Sequence, residues 1–186
     1  MSNTDQHQHF VCTLQEAVTI INGHRRFWVC NGGCRERRGF CTRSRLDLCL
    51  MFRDGIDPTG SGKREISYIE VENILDEAHN KHLVARPFRD MVSKRGIDGI
   101  CFCCDDCCGY FLNKDEICDR GAFVEKTIFD DCTHYGICVE VCYFGGREMC
   151  EGNLLVHNQN CYGCGLCCEI CPEECIIMKP RGRELL

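Results

Sequence analysis

Apolar and polar positions along this chain follow two rhythms. In the first half the spacing is helical. Thr13-Leu-Gln-Glu16 is a capping box, in which the threonine hydroxyl accepts an early helix amide and Glu16 reaches back to the threonine amide. It predicts a helix over residues 14–22. Ser67-Tyr-Ile-Glu70 repeats the device and opens a second helix running to about residue 82, with Tyr68, Val71, Leu75 and Ala78 near one stripe that should face the core. Residues 26–29 read as a strand leading into the first cysteines. Later the period shortens to two. Residues 122–129 and 153–157 read as short alternating strands, each followed by a tight cysteine loop and a short helix that begins near the loop's third cysteine. The pattern predicts an α+β fold: a small cysteine-rich α/β unit over residues 1–117, then an internally repeated unit over residues 118–186.

Residues 54–63, DGIDPTGSGK, form a Gly/Pro/Asp loop that is similar to a phosphate-binding loop. The similarity breaks at two essential places. Asp57 holds the first glycine position, and Arg64 replaces the hydroxyl residue that would bind magnesium, so nucleotide binding is not expected there.

Cysteine content changes the picture most. The chain has 21 cysteines in 186 residues. In a short secreted protein that density suggests a disulfide scaffold. Here the opening residues MSNTDQHQHF are polar, so no secretory leader is expected, and no stretch approaches the roughly 18 apolar residues of a membrane span. Many cysteines are adjacent (Cys103–Cys104, Cys107–Cys108, Cys167–Cys168) or two apart, which is the spacing of metal ligands. A reducing, oxygen-poor cytoplasm is the expected location. The net charge is −6 and is uneven. Residues 118–186 carry 6 basic against 11 acidic side chains, whereas residues 24–45 hold seven arginines (25, 26, 35, 37, 38, 43 and 45) and one acid, Glu36. The acidic balance argues against a nucleic-acid-binding function.

The most specific motif is CYGCGLCCEICP, residues 161–172, with spacing C-x2-C-x2-C-x3-C-P. Three thiolates two residues apart can wrap one face of a metal–sulfide cube while intervening amides turn towards its sulfides. Pro172 redirects the chain without leaving a buried donor unpaired. A zinc site of similar spacing is the simpler alternative. An imperfect copy, DCTHYGICVEVCYF, carries Cys132, Cys138 and Cys142, with Tyr135 where the second cysteine should stand. The two copies together resemble the bacterial two-cluster ferredoxin domain. That resemblance implies a ferredoxin-like fold for residues 118–186 and two clusters whose ligands cross between runs. Cys161, Cys164, Cys167 and Cys142 would surround one [4Fe–4S] cluster; Cys132, Cys138 and Cys171 would hold the other. Its missing corner leaves three outcomes: a [3Fe–4S] cluster, a [4Fe–4S] cluster with a substitute ligand, or no cluster. Cys150, Cys168, Cys175, Tyr135 and His134 are the candidate substitutes.

The N-terminal unit carries two further groups: Cys30, Cys34, Cys41 and Cys49, then Cys101, Cys103, Cys104, Cys107 and Cys108. The first spacing, C-x3-C-x6-C-x7-C, fits no single signature. A cluster within one group, a cluster shared as the second helix folds one loop onto the other, and a structural zinc all remain open. Nine thiols exceed the need of one cube, so one or two clusters, or a larger bridged one, are expected. The order of elements is similar to a group of microbial iron–sulfur proteins: a basic Cys-Arg loop, Cys49–Leu50, a capped helix ending in Leu83–Val84, a dense cysteine cluster and a two-cluster ferredoxin domain. The arginines beside these thiols would offset cluster charge, form a solvated loop, or dock an acidic or phosphate-bearing partner. Cys12 and Cys118 read as buried small hydrophobes, and the histidines at 7 and 9 as part of a frayed tail.

Neither a flavin nor a nicotinamide fingerprint is present in the sequence. The expected function is electron transfer by a multi-cluster iron–sulfur protein, between a donor and an acceptor protein and within or towards a larger oxidoreductase. Two alternatives stand: a reductase or activating enzyme whose N-terminal cluster is fed by the ferredoxin domain, and a zinc-stapled nucleic-acid-binding module.

Overall fold

A computed structural model describes residues 6–53, 55–91, 93–113 and 117–182. Asp54 of the Gly/Pro loop lies outside the described residues. The architecture is α+β with small antiparallel sheets. In the first half, helix α1 (Leu14–Asn22), strand β1 (Phe27–Cys30), helix α2 (Gly33–Arg38) and strands β2 (Cys49–Met51) and β3 (Arg64–Ile66) come first. They are followed by α3 (Tyr68–Asn80), β4 (Val84–Arg89), β5 (Ile97–Cys103) and the single turn α4 (Gly109–Leu112).

Both capping boxes form. The Glu16 amide donates to Thr13 Oγ1 at 3.2 Å and the Thr13 amide to Glu16 Oε2 at 2.9 Å. Ser67 and Glu70 make the same exchange at 3.3 and 3.0 Å. The buried stripe of α3 is Val71, Ile74 and Ala78, not the expected Tyr68, Val71, Leu75 and Ala78. The sheet lies under the i, i+3, i+7 line, and Tyr68, 45% exposed, stands at its margin with its hydroxyl donating to Asn22 Oδ1 at 2.8 Å. The helix also stops earlier than expected. His82 adopts φ 50°, and Leu83–Val84 lead into β4 instead of closing the helix.

The five strands pair antiparallel in the order β3-β1-β2-β5-β4. Register gives this sheet two chemically opposite faces. Val29, Leu50 and Ile100 form one continuous rung across β1, β2 and β5. These three are fully buried and pack with Ala17 and Ile21 of α1 and with the α3 stripe. Each such side chain contributes about 1.5–3 kcal/mol by leaving water. The next rung joins Cys30, Cys49, Cys101 and Arg86, and because successive residues point to opposite faces, this row lines the other side of the sheet.

The N-terminal tail is not frayed from residue 7 onward. β4 is an edge strand, whose outward amides and carbonyls need partners. The Phe10 amide donates to Pro87 O at 3.1 Å, the Arg89 amide donates to Gln8 O at 2.8 Å, and His7 Nδ1 lies 2.6 Å from Asp119 Oδ1.

The second half is two interlocked copies of one unit. In the first, β6 (Phe123–Thr127) leads through a turn to Cys132, then α5 (Ile137–Glu140) and β7 (Arg147–Cys150). In the second, β8 (Asn153–Val156) leads to Cys161, then α6 (Leu166–Glu169) and β9 (Ile176–Pro180). β6 pairs with β9 and β7 with β8, so each copy's outer strands complete the other's ribbons. Left-handed backbone recurs at equivalent places: His134 and Gly136, then Gly163 and Gly165. At Gly163 a Cβ would stand 2.2 Å from the Phe123 carbonyl oxygen, so only glycine fits that close approach. The halves share a core in which Val11 and Val84 meet Cys118, Val141 and Leu166. Among the described residues no helix is long and apolar enough to cross a membrane.

Candidate metal centres

The interlocked repeat brings cysteines from distant runs into shared pockets. Cys142 of the first copy lines a small pocket, about 20 Å³, with Cys161, Cys164 and Cys167 of the second. Reciprocally, Cys171 of the second copy lines a pocket of the same size with Cys132 and Cys138 of the first. The Gly146 amide donates to Cys142 Sγ at 3.2 Å. Burial pushes the Cys164 thiol up to about 12, and Cys142 and Cys167 also upward, so these sulfurs ionise only against a compensating cation.

Arg147 supplies positive charge between the two pockets. It lines the first, donates to Cys138 Sγ of the second at 3.3 Å and to Thr127 Oγ1 at 2.8 Å, and forms a buried ion pair with Glu125. Burial works against its charge, but Cys167, Glu125 and Cys138 outweigh that and keep the guanidinium protonated.

The five candidate substitutes for the corner at Tyr135 are placed differently. Tyr135 lines the pocket but is 76% exposed. His134 Nδ1 accepts the Leu154 amide at 2.9 Å, Cys168 Sγ is hydrogen-bonded to Ile176 O at 2.8 Å, and Cys150 is exposed. Cys175 is buried, lines the pocket, and holds its Sγ 3.5 Å from that of Cys171.

The N-terminal groups do mix, but through strand pairing and not through α3. Across the sheet Cys49 Sγ lies 3.2 Å from Cys101 Sγ, and Cys30 also bonds to Cys49. Hydrogen bonds from Cys49 are the main force lowering the pKa of both Cys30 and Cys101. Cys108 bonds to both Cys103 and Cys34, and the Gly109 amide donates to Cys34 Sγ at 3.2 Å. Cys41 lies 3.5 Å from Cys104, which lies 3.6 Å from Cys107. Burial opposes ionisation of Cys41, yet bonds from the Arg43 amide, Cys107 and Arg35 prevail and bring it down to about 7. The nine thiols thus fall into three contacting trios. Six of them, Cys34, Cys49, Cys101, Cys103, Cys107 and Cys108, line a single cavity of about 420 Å³.

Two buried arginines border that cavity. Arg35 donates to Phe102 O at 2.6 Å. Arg86 Nη1 donates to Cys108 Sγ at 3.0 Å and approaches Cys103 Sγ at 3.8 Å. Of the basic island, then, one member turns inward while others pair with acids on the surface: Arg26 with Glu65, Arg43 with Asp105, Arg45 with Asp47 and Arg38 with Asp106. Such exposed pairs neutralise the loop and contribute little stability, about 0–1 kcal/mol each. Sequence reasoning passed over Arg86, whose sulfur partners Cys103 and Cys108 lie 17 and 22 residues away, and Arg147, whose sulfur partner Cys138 lies 9 residues away, although an arginine within the apolar run VARPF was a signal for the first. Cys12 and Cys118 are buried in the apolar cores as expected.

A tetrahedral zinc with Zn–S bonds of about 2.3 Å needs its sulfurs about 3.8 Å apart. Among the described residues only Cys41, Cys104 and Cys107 bring three potential ligand atoms within 4.8 Å of one another. The chain matches no protein-family model, no curated protein and no solved structure.

Proposed function

We propose that this chain is a multi-cluster iron–sulfur electron carrier whose C-terminal half is a two-cluster ferredoxin-like domain. One observation carries the reading: Cys142 and Cys171 each leave their own run and join the thiols of the other copy. That exchange is the one the ferredoxin resemblance implies. Among the described residues neither pocket brings three potential ligand atoms within 4.8 Å of one another, as a single tetrahedral ion needs. Cys142, Cys161, Cys164 and Cys167 would hold one [4Fe–4S] cluster, and Cys132, Cys138 and Cys171 would anchor the second. In the N-terminal half, Cys30, Cys34, Cys41, Cys49, Cys101, Cys103, Cys104, Cys107 and Cys108 would hold one or two more.

When bound, such clusters supply one-electron redox chemistry. The chain's own residues set the conditions for it. Buried pockets exclude water, which disfavours the more negative, reduced state, whereas Arg147 and Arg86 place positive charge against the sulfurs and amides such as those of Gly146 and Gly109 donate to them, and both favour it. The shared core links the halves: Arg86 packs over the Tyr110 ring at 4.6 Å, and Tyr110 meets Tyr162, the neighbour of Cys161, at 5.9 Å. A donor and an acceptor protein, the latter within a larger oxidoreductase, and a reducing cytoplasm belong to this proposal.

The cavity of about 420 Å³ favours a second reading, in which the N-terminal centre binds and reduces a small molecule. One experiment separates the two. A relay loses electron delivery to its acceptor protein in both Cys164→Ala and Cys104→Ala, and the reduced intact chain turns over no small substrate. Turnover by the isolated, chemically reduced chain, lost only in Cys104→Ala, would overturn the relay.

A further inference from the structure

We propose that Cys175 is the fourth thiolate ligand of the second C-terminal centre, replacing the cysteine that Tyr135 displaces, so that this centre is a complete four-cysteine site. The inference rests on the iron–sulfur reading of that pocket. It goes beyond it by naming a ligand that the repeat does not supply.

The argument is geometric. The pocket lined by Cys132, Cys138 and Cys171 has Cys175 as its fourth cysteine wall. Cys175 is 2% exposed, Cys171 Sγ lies 3.5 Å from its sulfur, and it also bonds to Cys132. It therefore contacts thiols from both copies of the repeat. Its position follows from the local chain path. After Cys171 the chain turns at Pro172, Glu174 takes φ 49°, and the Ile128 amide donates to the Cys175 carbonyl at 2.8 Å, which anchors this residue where β6 and β9 begin to pair. The sulfur is thus fixed by backbone on both sides, as a ligand needs to be.

The rival donors are less well placed. His134 Nδ1 is occupied by the Leu154 amide, and Cys168 Sγ is bonded to Ile176 O, whereas Cys150 and Tyr135 are exposed to solvent. Ligation forms one Sγ–Fe bond and releases the thiol proton to water, with no change in electron count. Four thiolates complete the site, where three would leave one iron labile. The two copies therefore reach the same coordination by different routes: Cys164 from within its loop, and Cys175 from beyond the fourth cysteine of the opposite run.

The test uses the full chain, purified anaerobically, with iron content and electron paramagnetic resonance as readouts. Wild type should show no three-iron signal when oxidised. Cys175→Ala should lose about one iron per chain and gain that signal, and adding Tyr135→Cys to Cys175→Ala should restore the lost iron and remove the signal. Tyr135→Phe alone should change nothing. Cys138→Ala, which strikes a ligand under any iron–sulfur reading, should lose the centre. If Cys138→Ala lowers iron while Cys175→Ala leaves iron and spectrum unchanged, Cys175 is not a ligand and the inference is overturned. If neither variant changes iron, the iron–sulfur reading of this pocket fails with it.

Discussion

The two halves of this molecule gather thiols by opposite means. In the C-terminal half, short loops place cysteines two and three residues apart, and an interlocked repeat exchanges one cysteine each way, leaving two pockets of only about 20 Å³. In the N-terminal half, Cys30, Cys49 and Cys101 come from three strands and meet because they share a rung, and Cys49 and Cys101 of that rung line one cavity of about 420 Å³ with four thiols from outside it. Loop-built pockets are read along the chain, whereas sheet-built ones are read across it. The charge balance differs in the same way. Arg147 is shared between two pockets and locked by a buried carboxylate, while Arg86 stands in the thiol row itself.

This contrast breaks most sharply at Arg147. Replacing it with alanine leaves Glu125 buried without its cation, which should cost about 3–5 kcal/mol and perturb both C-terminal pockets. Thermal unfolding and the spectra of the C-terminal centres would show it, with the N-terminal centre spared. Removing both partners, Arg147→Met with Glu125→Leu, should recover most of the stability. A loss equal in both halves would mean that the charge is not local to the C-terminal pockets.

The N-terminal half has its own weak point in the layer beneath the thiol row. Ile74→Ala should cost about 2–5 kcal/mol by opening a cavity under β2 and β5, whereas Tyr68→Ala, at the helix margin, should cost well under half as much. Denaturant midpoints give the comparison. Equal losses would restore the stripe expected from sequence.

That stripe shows where the sequence was legible. Helix starts came from Thr13 and Ser67 because a cap is a local exchange of two hydrogen bonds. The C-terminal repeat was legible because its cysteine spacing is local too. The face of α3 was not, since Ile74 and Leu75 are adjacent and only the sheet decides which one faces inward. Nor was the rung that joins Cys30, Cys49 and Cys101 legible, because register across strands is fixed by pairings that no short window contains. The tail failed for the same reason: His7 meets Asp119, 112 residues away, beside Arg89 of β4, which donates to both.

The smallest expected effect lies at the seam between the halves. Cys12 is buried against β4, and burial first, then Glu16 and Cys164, raise its pKa well above the ordinary thiol value of 9.0. The unfolded chain therefore releases this proton before the folded one does. Cys12 favours folding fully below about pH 9, and its contribution falls as pH rises above that, by at most about 1.4 kcal/mol per pH unit. Cys12→Ala should flatten the alkaline slope of the thermal midpoint, apart from a constant offset from the lost side chain. Parallel slopes in the two proteins would show that Cys12 is not the group responsible.

The central claim is that both kinds of pocket hold iron–sulfur clusters, and elemental analysis of the anaerobically purified full chain tests it most directly. Two four-iron C-terminal clusters with one or two in the N-terminal half predict roughly 12 to 16 irons per chain, comparable acid-labile sulfide and little zinc. About eight irons or fewer with stoichiometric zinc would contradict the N-terminal clusters and favour a single ion at Cys41, Cys104 and Cys107.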